Sequence, residues 1–143
     1  MMEGGGYTNY RFEFDMIMPA QGKGISGWIV QAKDPDNFLL LQLQSSDSEY
    51  NSPEHKTKPN TLRIVPRLNG QHFVEDPVTL SLDIRKGEKY HIKTECVNNN
   101  VSIWVNGQKI ASYKSKFSGG WMGFRVSGAV DQGIFSNICL KKL

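Results

Sequence analysis

The stretch from Tyr90 to Tyr113 leaves a chain like this little freedom. Tyr90, Ile92, Thr94 and Cys96 alternate with His91, Lys93 and Glu95, three asparagines turn the chain, and Val101, Ile103 and Val105 return it. A period of two puts successive side chains on opposite faces, the pattern of a half-buried strand. An Asn106-Gly107 pair then opens a further hairpin into Gln108–Tyr113, because Asn and Gly tolerate the positive φ of a type I′ turn.

The rest of the chain repeats this rhythm. Over Tyr10–Met18, Phe12, Phe14 and Met16 alternate with Arg11, Glu13 and Asp15, and a turn at Pro19–Gly24 ends the run. Ile25–Lys33 and Asn37–Gln44 follow, joined by Asp34-Pro35-Asp36 as a tight hairpin in which Pro sets the turn dihedral. Thr61–Pro66, Gln71–Glu75 and Thr79–Ile84 read as short strands, with Leu68-Asn69-Gly70 turning between the first two. Trp121–Ser127 and Ile134–Leu140 close the series. Between them, Ser45–Asn60 is a long polar segment with Pro53 and Pro59, either functional or disordered. No segment carries a helical period. About eleven strands in one domain imply two packed sheets or a closed barrel. The expected class is all-β, a two-sheet antiparallel β-sandwich of jelly-roll type spanning residues 7–143, with 1–6 as a linker. Such a sandwich presents a groove on which polar residues and aromatics can meet a ligand.

Charge excludes several functions. Lys plus Arg number 17 against 14 Asp plus Glu, and the lysines form no dense run, so no nucleic-acid partner is expected. No stretch approaches the roughly 18 to 20 apolar residues of a membrane span, so no membrane partner is expected either. Cys96 and Cys139 lack the paired spacing of a zinc site. They read as two buried free thiols or as one bridge between non-neighbouring strands. His55, His72 and His91 are scattered and read as surface residues. Glu13 and Asp15 share a strand face, which raises the carboxylate pair of a glycosidase. The third acid of the Glu-x-Asp-x-x-Glu pattern is replaced by Met18, and no nucleophile elbow or phosphate loop is present. No enzyme is therefore expected.

Candidate binding residues remain. Trp28, Trp104 and Trp121 could each offer an aromatic face to a pyranose, although strand tryptophans usually belong to the core. Trp104 is out of phase with Val101, Ile103 and Val105 and so faces away from them. Trp121 and Arg125 share a face four residues apart, and Arg63 and Gln42 lie in candidate groove strands. Asp34, Asp36 and Asn37 either stabilise their turn or supply oxygens to calcium.

Four segments in order, Tyr10-Arg11-Phe12-Glu13-Phe14-Asp15, Gly27-Trp28-Ile29-Val30 leading to Asp34-Pro35-Asp36-Asn37-Phe38, Asn60-Thr61-Leu62-Arg63, and Trp121-Met122-Gly123-Phe124-Arg125, together resemble concanavalin-A-like jelly rolls. The end of the chain, from Tyr90-His91-Ile92-Lys93 to Phe135-Ser136-Asn137-Ile138, resembles laminin-G-like sugar-binding domains. Asn60-Thr61-Leu62-Arg63 followed by Leu68-Asn69-Gly70 looks most like the modules appended to bacterial α-L-rhamnosidases. The resemblance implies a non-catalytic carbohydrate-binding module, monomeric and extracellular or cell-surface, attached to a larger glycoside hydrolase and binding L-rhamnose or a related plant-type sugar. It implies a calcium cofactor held by Asp36 and Asn37, with Asp34, Asp47, Glu49 or loop carbonyls completing the shell. It also adds Asn60 to Arg63, Gln42, Trp104, Trp121 and Arg125 as sugar ligands. The alternatives are a laminin-G-like protein-interaction or structural domain and a jelly-roll sugar hydrolase.

Overall fold

A computed structural model describes residues 6–125 and 133–143, with the side chain of Arg125 left out. Eleven strands follow one another: β1 Tyr10–Ile17, β2 Ile25–Asp34, β3 Asn37–Gln44, β4 Thr61–Leu68, β5 Gln71–His72, β6 Val78–Thr79, β7 Lys89–Val97, β8 Asn100–Val105, β9 Gln108–Lys114, β10 Trp121–Arg125 and β11 Ile134–Lys142. They form an antiparallel two-sheet sandwich of the jelly-roll kind. One sheet has the order β11-β1-β7-β8-β9; the other has the order β10-β2-β3-β4-β5, with β6 also paired to β4.

Alternation along each strand builds the core. Tyr10, Phe12, Phe14 and Met16 of β1 and Ile92, Thr94 and Cys96 of β7 point inward, where they meet Trp28 and Val30 of β2 and Leu39, Leu41 and Leu43 of β3. Each such side chain taken out of water contributes about 1.5–3 kcal/mol. Phe14 sits centrally, edge-on to Trp28 at 5.6 Å and to Phe124 at 5.0 Å between ring centroids. The indole N–H of Trp28 donates to Thr94 Oγ1 at 3.0 Å, linking the two sheets inside the core. Trp28 is thus a core residue.

The expected Asn-Gly turns form as the residues dictate, with φ of 50° and 81° at Asn106 and Gly107 and of 50° and 80° at Asn69 and Gly70. Two expectations change. The run Thr79–Ile84 pairs only over Val78–Thr79, because the Asn60 side chain takes over the backbone that follows. Its Nδ2 donates to the carbonyls of Leu80 and Leu82, and its Oδ1 accepts from the Ile84 N–H. The thiols are both free, but only Cys96 is buried. Cys139 lies opposite the outward-facing Glu13 on edge strand β11, whereas Cys96 lies opposite the inward-facing Tyr10, so a bridge is excluded by the sheet itself. Burial pushes the Cys96 thiol up to about 12.

The long segment between β3 and β4 is held in place. Ser48 Oγ accepts from Gln44 Nε2 at 3.0 Å, Gln44 also donates to the Tyr50 carbonyl, and the Lys86 N–H donates to Asp47 Oδ1 at 3.1 Å. One feature had no signal in composition: Gln31, fully buried, adopts φ 53° where β2 slips register against both β3 and β10. The bulge advances the outward positions of β2 by one residue, so that Ala32 faces Trp121.

Candidate functional site

Register places several of the expected residues on one surface, the outer face of the β10-β2-β3-β4-β5 sheet. Arg125, Gly27, Gln42 and Arg63 lie side by side across four strands. In the next row come Gly123, Ile29, Leu40 and Val65. Beyond it, Trp121 faces Ala32 and Phe38 faces Arg67, which continues to His72 on β5. Leu40, Val65, Phe38 and Ala32 pack into a second apolar cluster, partly covered by Val74, Ile29 and Trp121. The face therefore runs from a polar row, over an apolar row, to an aromatic edge.

The polar row is organised by hydrogen bonds. Arg63 Nη1 donates to Gln42 Oε1 at 2.9 Å and Nη2 donates to the His55 carbonyl at 3.1 Å, which fixes the guanidinium and orients the Gln42 amide. Gly27 is required beneath it, since a Cβ there would come within 2.8 Å of Gln42 Cγ and 3.0 Å of the Leu41 carbonyl oxygen. Gly123 differs: a Cβ would meet none of the described residues within 4 Å, so among them the strand lies open to a molecule resting on it. Trp121 stands two residues away on the same strand face, its ring edge-on to Tyr7 at 6.0 Å. Its Nε1 is buried without a hydrogen-bond partner among the described residues. The sequence reading missed the two glycines as site residues, although a glycine inside a strand pattern signals close approach.

The remaining candidates lie elsewhere. Trp104 is on the outer face of the other sheet, with Lys93 Nζ at 4.3 Å and Lys109 Nζ at 5.5 Å from its ring centroid. It cannot share a site with Trp121. Asn60 has both ends of its amide engaged by backbone and holds the loop after β6. Arg125 ends β10 opposite Gly27, and its side chain lies outside the described residues.

Asp34, Asp36 and Asn37 form the β2–β3 turn. Asp34 Oδ1 accepts from the Asp36 N–H at 2.8 Å and from Asn37 Nδ2 at 3.0 Å, and these bonds hold its carboxyl below its usual range, the Asn37 amide most. Asn37 Oδ1 accepts from the Asn69 N–H at 3.0 Å, and Asp36 Oδ1 lies 3.6 Å from the Arg67 guanidinium. Calcium takes six to eight oxygens. These oxygens are engaged in closing the turn, and a fixed cation stands beside the one carboxylate that could be freed, so the residues do not fit the ion. Nor can Asp47 or Glu49 complete a shell. They follow β3 at its far end, and the seven steps between Asn37 and Gln44, at about 3.3 Å each, put the two ends about 23 Å apart.

Glu13 and Asp15 also face outward on the Trp104 side. His91 bridges them, Nε2 to Glu13 Oε1 and Nδ1 to Asp15 Oδ1, both at 2.9 Å. Asp15 accepts in addition from Asn137 Nδ2 at 2.6 Å. The bonds to Glu13 and then to Asp15 raise the His91 pKa, and those from Asn137 and His91 lower that of Asp15. His91 is thus the surface residue expected, but it is not isolated.

No family model and no curated protein sequence matches this chain. Solved structures do. A carbohydrate-binding module, CBM66, from Bacillus subtilis superposes with a TM-score of 0.73 at 20% identity, covering 94% of this chain and 76% of that one. A toad ovary galectin in complex with thio-digalactose gives 0.67 at 13% identity, covering 95% and 91%. A glycosyl hydrolase assigned in Parabacteroides distasonis gives 0.61 at 17%, covering 96% and 79%. The chain therefore shares its jelly-roll β-sandwich fold with these proteins.

Proposed function

We propose that the chain is a non-catalytic carbohydrate-binding domain whose site is the outer face of the β10-β2-β3-β4-β5 sheet. The observation that carries this reading is the open strand at Gly123, set between Trp121 and the Gln42–Arg63 pair. A sugar ring has an apolar C–H side and a rim of hydroxyls. Gly123 and Ile29 offer a flat apolar floor, Trp121 an aromatic border, and the Gln42 amide with the Arg63 guanidinium offers fixed donors to hydroxyl oxygens. The likeness to a carbohydrate-binding module and to a galectin complexed with a digalactoside supports the same class of ligand.

Within that class, L-rhamnose or a related plant-type sugar is the ligand suggested by the Asn60-Thr61-Leu62-Arg63 and Leu68-Asn69-Gly70 segments. The reading needs no calcium, because the Asp34–Asn37 turn stands apart from the Gly123 floor in the sheet register. It needs no catalytic acid either, since Glu13 and Asp15 belong to the other sheet and are tied to His91. Attachment to a glycoside hydrolase outside the cell would give such a module its use, by raising the local concentration of the enzyme on a polymer.

The test is a calorimetric titration of L-rhamnose, galactosides and other neutral plant-type sugars into the wild type and Gly123→Leu. Gly123 is not among the positive-φ glycines and a Cβ there meets none of the described residues within 4 Å, so the melting temperature of the leucine variant should match or exceed that of the wild type while sugar heat disappears. Undiminished sugar binding by Gly123→Leu, or no heat from any sugar with the wild type, would overturn the assignment.

A further inference from the structure

We propose that the outer face of the β11-β1-β7-β8-β9 sheet is a second ligand surface, centred on Trp104 between Lys93 and Lys109, and that it takes an acidic polysaccharide. Register sets these three side chains in one row, Lys93 on β7 opposite Trp104 on β8 and Trp104 opposite Lys109 on β9. The two backbones carrying the lysines are two inter-strand steps apart, about 9.5 Å.

What distinguishes the lysines is how the other charges on this face are used. Glu95 is paired with Arg11 at 2.8 Å, Glu13 is bonded to His91 at 2.9 Å, and Asp15 is shared among His91, Asn137 and Lys89. Among the described residues neither Lys93 nor Lys109 forms an ion pair; each is held over the Trp104 ring instead. A cation–π contact of this kind is worth only about 0.5–1 kcal/mol at an exposed site. It restricts the ammonium groups without neutralising them. Two compact cations are thus presented together beside an apolar aromatic body, with Ser102 and Ser112 facing each other in the adjoining row.

Anions at intervals along a sugar chain, carboxylates or sulfates, suit this arrangement. Each can meet one ammonium, and the ring between them can pack on the indole. A nucleic acid suits it less, because its closely spaced phosphates would run from the lysine row onto Glu13, one inter-strand step from Lys93, or onto Glu95, two residues along β7.

Binding of polygalacturonate and dextran sulfate, with neutral dextran as control, is measured by calorimetry at low and at elevated salt. The wild type and the Lys93→Gln/Lys109→Gln double variant are compared. The wild type should bind at least one acidic polymer, more weakly as salt rises, and the double variant should bind it at least about tenfold less well. Both proteins should respond identically to the neutral sugars of the other face. Undiminished binding by the double variant, no binding of either acidic polymer, or equal binding of a DNA oligonucleotide overturns the proposal. Loss of acidic-polymer binding in Gly123→Leu would do the same, since it would assign that ligand to the opposite sheet.

Discussion

Trp28 and Thr94 meet where neither can reach water, so their hydrogen bond is worth more than its length suggests. Both are fully buried, and the indole N–H has no other acceptor among the described contacts. Thr94→Val keeps the volume and removes the acceptor. An unsatisfied N–H in the core costs about 1–3 kcal/mol, so the unfolding free energy should fall by that amount, read as a lower urea midpoint with an unchanged m-value. An unchanged midpoint would mean that the sheets are held by packing alone. Gln31 shows what such side chains can impose on the backbone. The Tyr10 hydroxyl accepts from the Gln31 N–H at 2.8 Å, and Gln31 Nε2 donates to the Asn98 carbonyl at 3.2 Å, while φ stays at 53°. No glycine or asparagine marks the position, so its left-handed backbone was not legible in the sequence.

Strands β1, β7 and β11 are joined on their outer side by the His91 cluster. The carboxylates of Glu13 and Asp15 face the imidazole from β1, Asn137 and Cys139 approach from β11, and Lys89 and Lys93 flank it on β7. Because its folded pKa is raised, protonated His91 contributes stability that is complete below about 6.5 and is lost as pH rises through the higher folded value. Asp15, whose folded pKa is lowered, contributes stability present above about 4 and lost as pH falls through its lower folded value. Melting temperature should therefore decline from pH 6 to pH 8 in the wild type and stay level in His91→Gln. Parallel profiles for the two proteins would remove this role. At this scale most of the fold was readable: the period of two and the turn residues located the longer strands within about two residues, while Gln71–Glu75 and Thr79–Ile84 shrink to Gln71–His72 and Val78–Thr79. Readability failed where a side chain outcompeted a ladder, as Asn60 does after β6. It failed again where function depends on which sheet a strand joins. Trp104 and Trp121 have the same local signature, and only non-local pairing separates their faces.

Two outward faces, one bordered by Trp121 and one centred on Trp104, lie on opposite sides of a sandwich whose core separates them. Gln42 and Arg63 were legible as candidate groove residues, and their strands follow one another; that Trp121 joins them depends on the non-local pairing of β10 with β2. The calcium expectation came from residue identity and from the resemblance, neither of which reveals that the Asp34–Asn37 oxygens already have donors. Excess calcium, and equally a chelator, should leave both the melting temperature and sugar affinity unchanged; a calcium-dependent rise in either would restore the metal. The pairing of β1 with β11 has a mechanical consequence. Tyr10 lies opposite Lys142, and the Leu143 N–H donates to the Asn9 carbonyl at 3.0 Å, so both ends of the fold leave from the same end of the same strand pair. Force applied through those ends loads the ladder one rung at a time. A pull on both ends would thus act on that strand pair in the unzipping direction, starting at the Leu143–Asn9 bond, rather than shearing all its rungs together.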